Sequence, residues 1–315
     1  MTELDVVTVG ELLVVVEPLD VGAGLATSST LRKSIGGAEV NVALTLARLG
    51  HRVGWVGAVG DDPFGDEGIH TLRGAGVDVS RVVVDRSAPT GVYFKEVFAF
   101  GRLENHPYRA GSAASRLAVR DLDVHYAMSG RMLYLTGVTA LISPAGHELV
   151  NHLVEEARRR GIHVSVDANV RLRLLRDRDA REVLAPLVHS ADTLFLSTAE
   201  AILLLGTDDP DRIRDQLPSM AATTVLLHES KGACAITTDD ICSVPARVVD
   251  VVDPTGAGDA FAAGYLSGWL DGSPMAERLR RAEQCAAYAV ASRGDNPPNL
   301  PRSVRASDHE EGDWR

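Results

Sequence analysis

The chain has 315 residues and a formal net charge of −11, with 43 Asp and Glu against 32 Lys and Arg. The acidic excess is scattered, which argues against a surface for nucleic acid or an anionic membrane. Cys234, Cys242 and Cys285 have no metal-binding spacing, and no apolar run approaches a bilayer span, which excludes a zinc site and a disulfide framework and leads us to expect a cytoplasmic protein without a signal peptide.

Residues 6–9 read as a short buried strand ending at Gly10-Glu11, and residues 12–16 as a second apolar run before a Gly-rich excursion. After a return strand at 31–35, Gly36-Gly37 opens a helix over 38–49, with Val40, Ala43, Leu44 and Ala47 at core-facing spacing and Gly50 as its stop. Residues 53–59 predict one buried strand and 64–73 a helix. Residues 81–108 alternate β-branched, aromatic and charged side chains and break at Gly101, the pattern of strands with one wet face. We expect them, with the strands near 12–17 and 31–35, to form a small antiparallel sheet covering the core.

From Arg131 a βα rhythm sets in. Strands are predicted at 132–135, 162–166, 193–196, 224–227 and 233–237, the last pairing as a hairpin with 241–244. Helices are predicted at 144–160, 178–189, 198–205, 210–217, 257–270 and 274–292. Such alternation predicts an α/β fold, a mostly parallel sheet with helices on both faces. We expect a single domain over residues 1–301, with a lid from about 12–35 and 81–110, and a polar tail at 302–315 that frays.

The most informative stretch is Asp253-Pro254-Thr255-Gly256-Ala257-Gly258-Asp259, between an apparent strand at 248–252 and the helix over 257–270. A glycine turn into a helix leaves unpaired amides aimed at one spot, which suits a phosphate. Asp259 is either a helix cap or a base that takes the proton of a hydroxyl attacking that phosphate. Other polar residues also follow strands: Glu11, Asp167, Asn169, Ser197 and Glu200. Open parallel sheets bind ligands at that end. Asn169 suits a phosphate or a metal-bound water. Glu200 either supplies the single carboxylate a hydrated Mg2+ needs or closes a capping box on Ser197. Arg109, Arg171 and Arg173 are candidates for reading an anionic substrate. No GxxxxGK[ST], GxGxxG after the first strand, GxSxG or HExxH occurs.

Gly36-Gly37-Ala38-Glu39-Val40-Asn41-Val42-Ala43, through Arg48-Leu49-Gly50, together with Asp253 to Phe261, resembles the two signatures of the ribokinase-like (PfkB) sugar kinases. Within that family the chain is most similar to the 2-keto-3-deoxygluconate kinases, on Thr90-Gly91-Val92-Tyr93, Tyr108-Arg109-Ala110-Gly111, Asp167-Ala168-Asn169-Val170-Arg171 and Ala291-Ser292-Arg293-Gly294-Asp295. The resemblance implies a Rossmann-like core with a β-sheet lid, ATP and Mg2+ as cofactors, and a homo-oligomer assembled through the lid. It implies that Asp259 deprotonates the primary hydroxyl while the amides of Gly256, Ala257 and Gly258 hold the transferring phosphoryl. Gly36, Gly37, Asn41, Tyr93, Arg109 and Arg171 would contact the sugar acid. Asn169, Ser197, Glu200, Lys231, Gly232, Gly256, Gly258 and Ser292 would serve the nucleotide, with Glu200 facing Mg2+. Asp253 and Thr255, with the 291–294 turn, resemble a loop for a monovalent cation, K+. Other hydroxyl acceptors, a different sugar or a nucleoside, stay open, as does a sugar-binding protein without catalysis. The chain departs from the family pattern at Glu229, where a glycine is usual near the nucleotide, and at Val170, Leu175 and Pro107.

Overall fold

In the computed structural model of the chain, residues 4–20, 23–97, 103–175, 178–220, 222, 224–229, 231–296 and 304 are described. The break expected at Gly101 and all of the 302–315 tail except Val304 lie outside them.

The strands in chain order are β1 (Leu4–Val9), β2 (Leu13–Pro18), β3 (Leu31–Gly36), β4 (Val53–Val56), β5 (Ala58–Gly60), β6 (Val83–Asp85) and β7 (Gly91–Val97). They continue as β8 (Leu103–Tyr108), β9 (Gly130–Thr136), β10 (His163–Asp167), β11 (Thr193–Ser197), β12 (Thr224–Glu229), β13 (Gly232–Ile236) and β14 (Ile241–Pro245). The main sheet has the order β14-β13-β12-β11-β10-β9-β1-β4. Every pairing from β12 to β4 is parallel, and the β12–β13–β14 edge is antiparallel. Parallel strands covered on both faces need apolar side chains at successive positions, and the alternation then sorts them between two cores. On β9, Leu133 and Leu135 enter one core with Leu149 and Leu153 of the helix Pro144–Arg160. Met132 and Tyr134 enter the other, with Trp55, Phe195 and Phe261. That long helix is bounded as its sequence dictates: Ser143 caps it, Pro144 opens it and left-handed Gly161 ends it.

The chain runs from β1 to β4 on one side and resumes with β9 on the other. The strand order therefore reverses between β1 and β9, and a crevice opens beyond their carboxyl ends. Over it lies a second sheet in the order β3-β2-β7-β8. Its outer pairs are antiparallel as expected, but the central β2–β7 seam is parallel.

Three local expectations are corrected. The strand expected over 53–59 is two strands: β5 leaves the main sheet and pairs in parallel with β6, and the Val83 N–H donates to the Gly57 carbonyl at 2.9 Å. Residues 83–85 therefore belong to that small sheet and not to the cover. The apolar run 248–252 forms no strand, because β14 has ended and the run packs on nothing: Val248 is 101% exposed and Val251 63%. It hangs instead from the end of the helix Met275–Val290, where the amides of Val252 and Asp253 both donate to the Val290 carbonyl at 2.8 and 3.1 Å. Short helices at Ala113–Arg116, Val124–Ala127, Gly137–Ile142 and Leu172–Leu175 were not anticipated, since one turn carries too little periodicity to recognise.

Candidate active site

The glycine turn forms as the sequence requires. Gly256, at φ 79°, is the residue before the helix Ala257–Leu270, and a β-carbon there would lie 2.2 Å from the Asp295 carbonyl oxygen. Only glycine accepts that conformation and that approach. Ala257, Gly258 and Asp259 are the first three helical residues, so their amides have no carbonyl one turn back. Asp259 does not cap the helix. Its buried carboxylate accepts a hydrogen bond from Asn41 Nδ2 at 2.8 Å. Burial pushes its pKa up to about 7; Asn41 and Arg171 oppose that rise, and the negative charges of Asp295 and Glu39 add to it.

Asn41 is placed by the other glycine pair. Gly37 precedes the helix Ala38–Arg48 at φ 122°, so close to the segment that follows β1 that a β-carbon would meet the Glu11 carbonyl at 2.2 Å. The first turn is locked by Glu39, a fully buried side chain that accepts from Thr136 Oγ1 at 2.7 Å and Thr139 Oγ1 at 2.6 Å. Thr8 Oγ1 donates to the Glu39 carbonyl at 3.2 Å. Strands β1 and β9 thus hold the helix at the reversal point, and two helix N-termini converge on one crevice.

That crevice is a cavity of about 430 Å³. Of the residues expected to contact the substrate, Gly37, Asn41, Tyr93, Arg109, Arg171 and Asp259 line it, and Thr255 and Gly256 join them. Gly36 does not; it packs beside Asp295, whose Oδ2 would lie 3.0 Å from a β-carbon there. Arg171 stands exposed at the rim, and Arg173 donates from its Nη1 to the Asn105 carbonyl of β8 at 2.8 Å, tying rim to cover. Arg109 is not a free anion receptor, because its Nη1 lies 3.0 Å from Glu11 Oε2. Glu11 also lines the cavity; burial raises its pKa to about 7, against the pull of Arg109. Pro107 and Val170 line the cavity as well, so two of the departures from the family pattern touch the substrate space, whereas Leu175 is buried in the core.

Of the residues expected to serve the nucleotide, Asn169, Ser197, Glu200, Lys231 and Gly232 lie at or just past the ends of β10, β11 and β12, Ser292 follows the helix Met275–Val290, and none of these lines this cavity. Asn169 holds a left-handed φ of 38° and donates its amide to Asp167 Oδ1 at 3.0 Å. Glu200 closes the capping box: its Oε2 accepts from the Ser197 amide and hydroxyl at 2.8 Å each. Its Oε1 accepts from the Val170 amide at 2.6 Å. Asp167, singled out only as a strand-end residue, carries the clearer sign of a cation. Burial first, then the charges of Glu200 and Asp259, push its pKa well above the usual carboxylate range. A hydrated Mg2+ would relieve that repulsion, and Asp167 and Glu200 would be the carboxylates to hold it through water. Glu229 turns to the helix Thr198–Leu205, where its Oε1 accepts from the Thr198 amide at 3.3 Å. Its neighbour His228 stacks on Phe261 with ring centroids 5.2 Å apart and lies behind Gly258, 3.6 Å from where a β-carbon would sit. Lys231 is exposed in the β12–β13 turn, and Ser292 donates its hydroxyl to the Tyr288 carbonyl at 2.9 Å.

The loop expected to take K+ already faces a cation. Asp253 Oδ1 accepts from the Thr255 amide at 3.0 Å and Oδ2 from the Gly294 amide at 3.1 Å, as such a loop requires. The cation facing Asp253, however, is the chain's own: Lys95 Nζ lies 2.7 Å from its Oδ2. These residues do not fit an added monovalent ion. Sequence reasoning missed Lys95, Asp295, Glu39 and the Glu11–Arg109 pair. The available signal was modest: a lysine and a tyrosine two residues apart on one face of a lid strand.

The pfkB family carbohydrate kinase profile matches residues 3–302. The chain is 36% identical over 303 residues to a 2-dehydro-3-deoxygluconokinase of Bacillus subtilis (strain 168), covering 93% of this chain and 91% of that one. It is 33% identical over 298 residues to a 2-dehydro-3-deoxygluconokinase of Thermoproteus tenax, with 93% and 90% covered. A protein of E. coli described as a ribokinase II, solved in complex with ATP and Mg2+, superposes with a TM-score of 0.86 at 26% identity, over 92% of this chain and 94% of that one. Among the described residues, no helix is long and apolar enough to cross a membrane.

Proposed function

The chain belongs to the pfkB family of carbohydrate kinases, and on that premise we propose that it transfers the γ-phosphoryl of ATP to the primary hydroxyl of 2-dehydro-3-deoxygluconate or a close sugar acid. The observation that carries this reading is Asp259: a buried carboxylate in the cavity wall, its pKa raised to about 7, beside the amides of a glycine turn. A base poised near neutral pH matches general-base work. The acceptor O–H gives its proton to Asp259 as the oxygen bonds to the γ-phosphorus and the bond to the bridging oxygen breaks. Asn41 holds Asp259 in place, and the amides of residues 257–259 stabilise the charge on the transferring group. Mg2+, when bound, neutralises phosphate charge. Arg171, exposed at the rim, meets the acceptor's carboxylate.

The Glu11–Arg109 pair favours a second reading. With Arg109 neutralised, Arg171 and the tethered Arg173 remain for an acid, and Glu11 becomes an acceptor for sugar hydroxyls, which suits a neutral ketose. Measuring ATP consumption with sugar acids, fructose, ribose and nucleosides separates the two. We expect kcat/KM for the sugar acid to exceed that for the neutral sugars by about a hundredfold or more; a preference for a ketose overturns the assignment. We further read the protein as cytoplasmic and as a homo-oligomer joined through the lid, where Tyr108 stands 68% exposed; light scattering on the purified protein tests the latter.

A further inference from the structure

Lys95 is a fully buried lysine on β7, and what surrounds it is unusual. Its Nζ lies 2.7 Å from Asp253 Oδ2, 2.7 Å from Asp295 Oδ1 and 3.7 Å from Glu17 Oε2. Arg32 and Arg293 complete the cluster on the far side of Glu17. Among the described residues, three carboxylates thus face three cations, and their formal charges balance. The two shorter contacts of the ammonium, to Asp253 and Asp295, lead to the glycine turn. Asp253 holds the amides of Thr255 and Gly294. Asp295 takes the Tyr93 hydroxyl, and its carbonyl is the surface on which Gly256 rests.

We propose that Lys95 is the built-in cation of the phosphoryl-binding turn, a positioning residue whose ammonium holds Asp253 and Asp295 against residues 255–256, so that turnover requires no added monovalent ion. Potassium and ammonium ions are close in size and charge, and the lysine head presents the same charge on a tether. The tether adds a consequence. Tyr93, two residues earlier on the same face of β7, lines the sugar cavity, so the strand that closes over the substrate also supplies the charge that shapes the anion site. Without the ammonium, Asp253 and Asp295, exposed by only 1% and 5%, are buried and unpaired, a costly state.

The proposal rests on the kinase reading only for its turnover readout. In a buffer whose cations are Mg2+ and tetramethylammonium, adding about 100 mM KCl to the wild type should change kcat by less than about twofold, a range that non-specific screening explains. Lys95→Met should lose about a hundredfold in kcat, the scale of a small misplacement of catalytic groups, with a much smaller change in sugar KM. K+ or NH4+ should restore at least about a tenth of the wild-type kcat, and should raise the Tm of Lys95→Met but not that of the wild type. Activation of the wild type by K+ beyond about twofold overturns the proposal. So does a Lys95→Met enzyme with wild-type kcat, or one whose activity and Tm ignore every monovalent ion. If Lys95→Met does not fold, Lys95→Arg keeps the charge and must stay indifferent to K+; activation of that variant by K+ is equally fatal. The Tm measurements decide the matter even if no sugar tested is phosphorylated, so failure of the acceptor assignment is separable from failure of this one.

Discussion

Two carboxylates in this molecule occupy the same local position and do opposite things. Glu200 and Asp259 are each the third residue of a helix at the ligand end of the main sheet. Glu200 folds back on Ser197 and satisfies the start of its own helix. Asp259 does not: the residue before its helix, Gly256, has no hydroxyl to return the bond and is held left-handed against the Asp295 carbonyl. Released from capping, Asp259 points to Asn41 and the cavity. A helix start becomes a reactive site when its cap is withheld: the amides stay open for an anion and the acid stays open for a proton.

The sharpest way to break this contrast is Asp259→Asn, which should fold and lose at least about a hundredfold in kcat. In the wild type, kcat/KM should rise with pH through about 7, as Asp259 gives up its proton; a flat profile across that range removes Asp259 as the base. The same variant should gain stability. The folded-state pKa of Asp259 lies above the unfolded value near 3.8, so wild-type stability from this group is full below that value and is lost as pH rises to about 7. The Tm difference, variant minus wild type, should therefore grow across that window and hold constant above it. Next in size, Gly256→Ser restores the hydroxyl that Ser197 provides for Glu200, yet it should cost about 2–3 kcal/mol in urea unfolding, because the left-handed φ and the Asp295 carbonyl both oppose a β-carbon. Arg171→Ala should lower kcat/KM for a sugar acid about tenfold and leave a neutral sugar nearly unchanged; equal loss on both would show that Arg171 does not read the carboxylate. Smallest, Glu200→Ala should cost about 1 kcal/mol of stability for the lost capping box and the orphaned Val170 amide. If it also raises the Mg2+ concentration needed for half-maximal turnover, the capping carboxylate serves the metal as well.

Most of the architecture was legible because local and global signals agreed. The helix at 198–205 begins with a capping box and was located to the residue, and the apolar runs between glycine turns became the parallel strands. The run at 248–252 misled for a physical reason. Its β-branched residues carry strand propensity, but a strand needs a neighbour, and the sheet already ends at β14. In the site, the glycines and Asp259 were visible as a motif, whereas the partners that tune them come from far along the chain. Asn41 lies 218 residues from Asp259, and Lys95 lies 158 from Asp253 and 200 from Asp295. Charge pairing over such separations leaves no periodic trace.

The parallel seam between β2 and β7 also constrains how the cover can be built. Its register joins Leu13 to Gly91, and the chain between them holds the helices Ala38–Arg48 and Pro63–Gly74 with β4, β5 and β6. Ends so far apart close at a high entropic cost unless the intervening segment is already compact. The β2–β3 hairpin must therefore wait with one edge open until that segment has docked and β7 has emerged. On a ribosome, a nascent chain halted before residue 91 would carry half a cover and an unpaired strand edge, the kind of surface that recruits a chaperone or a second chain.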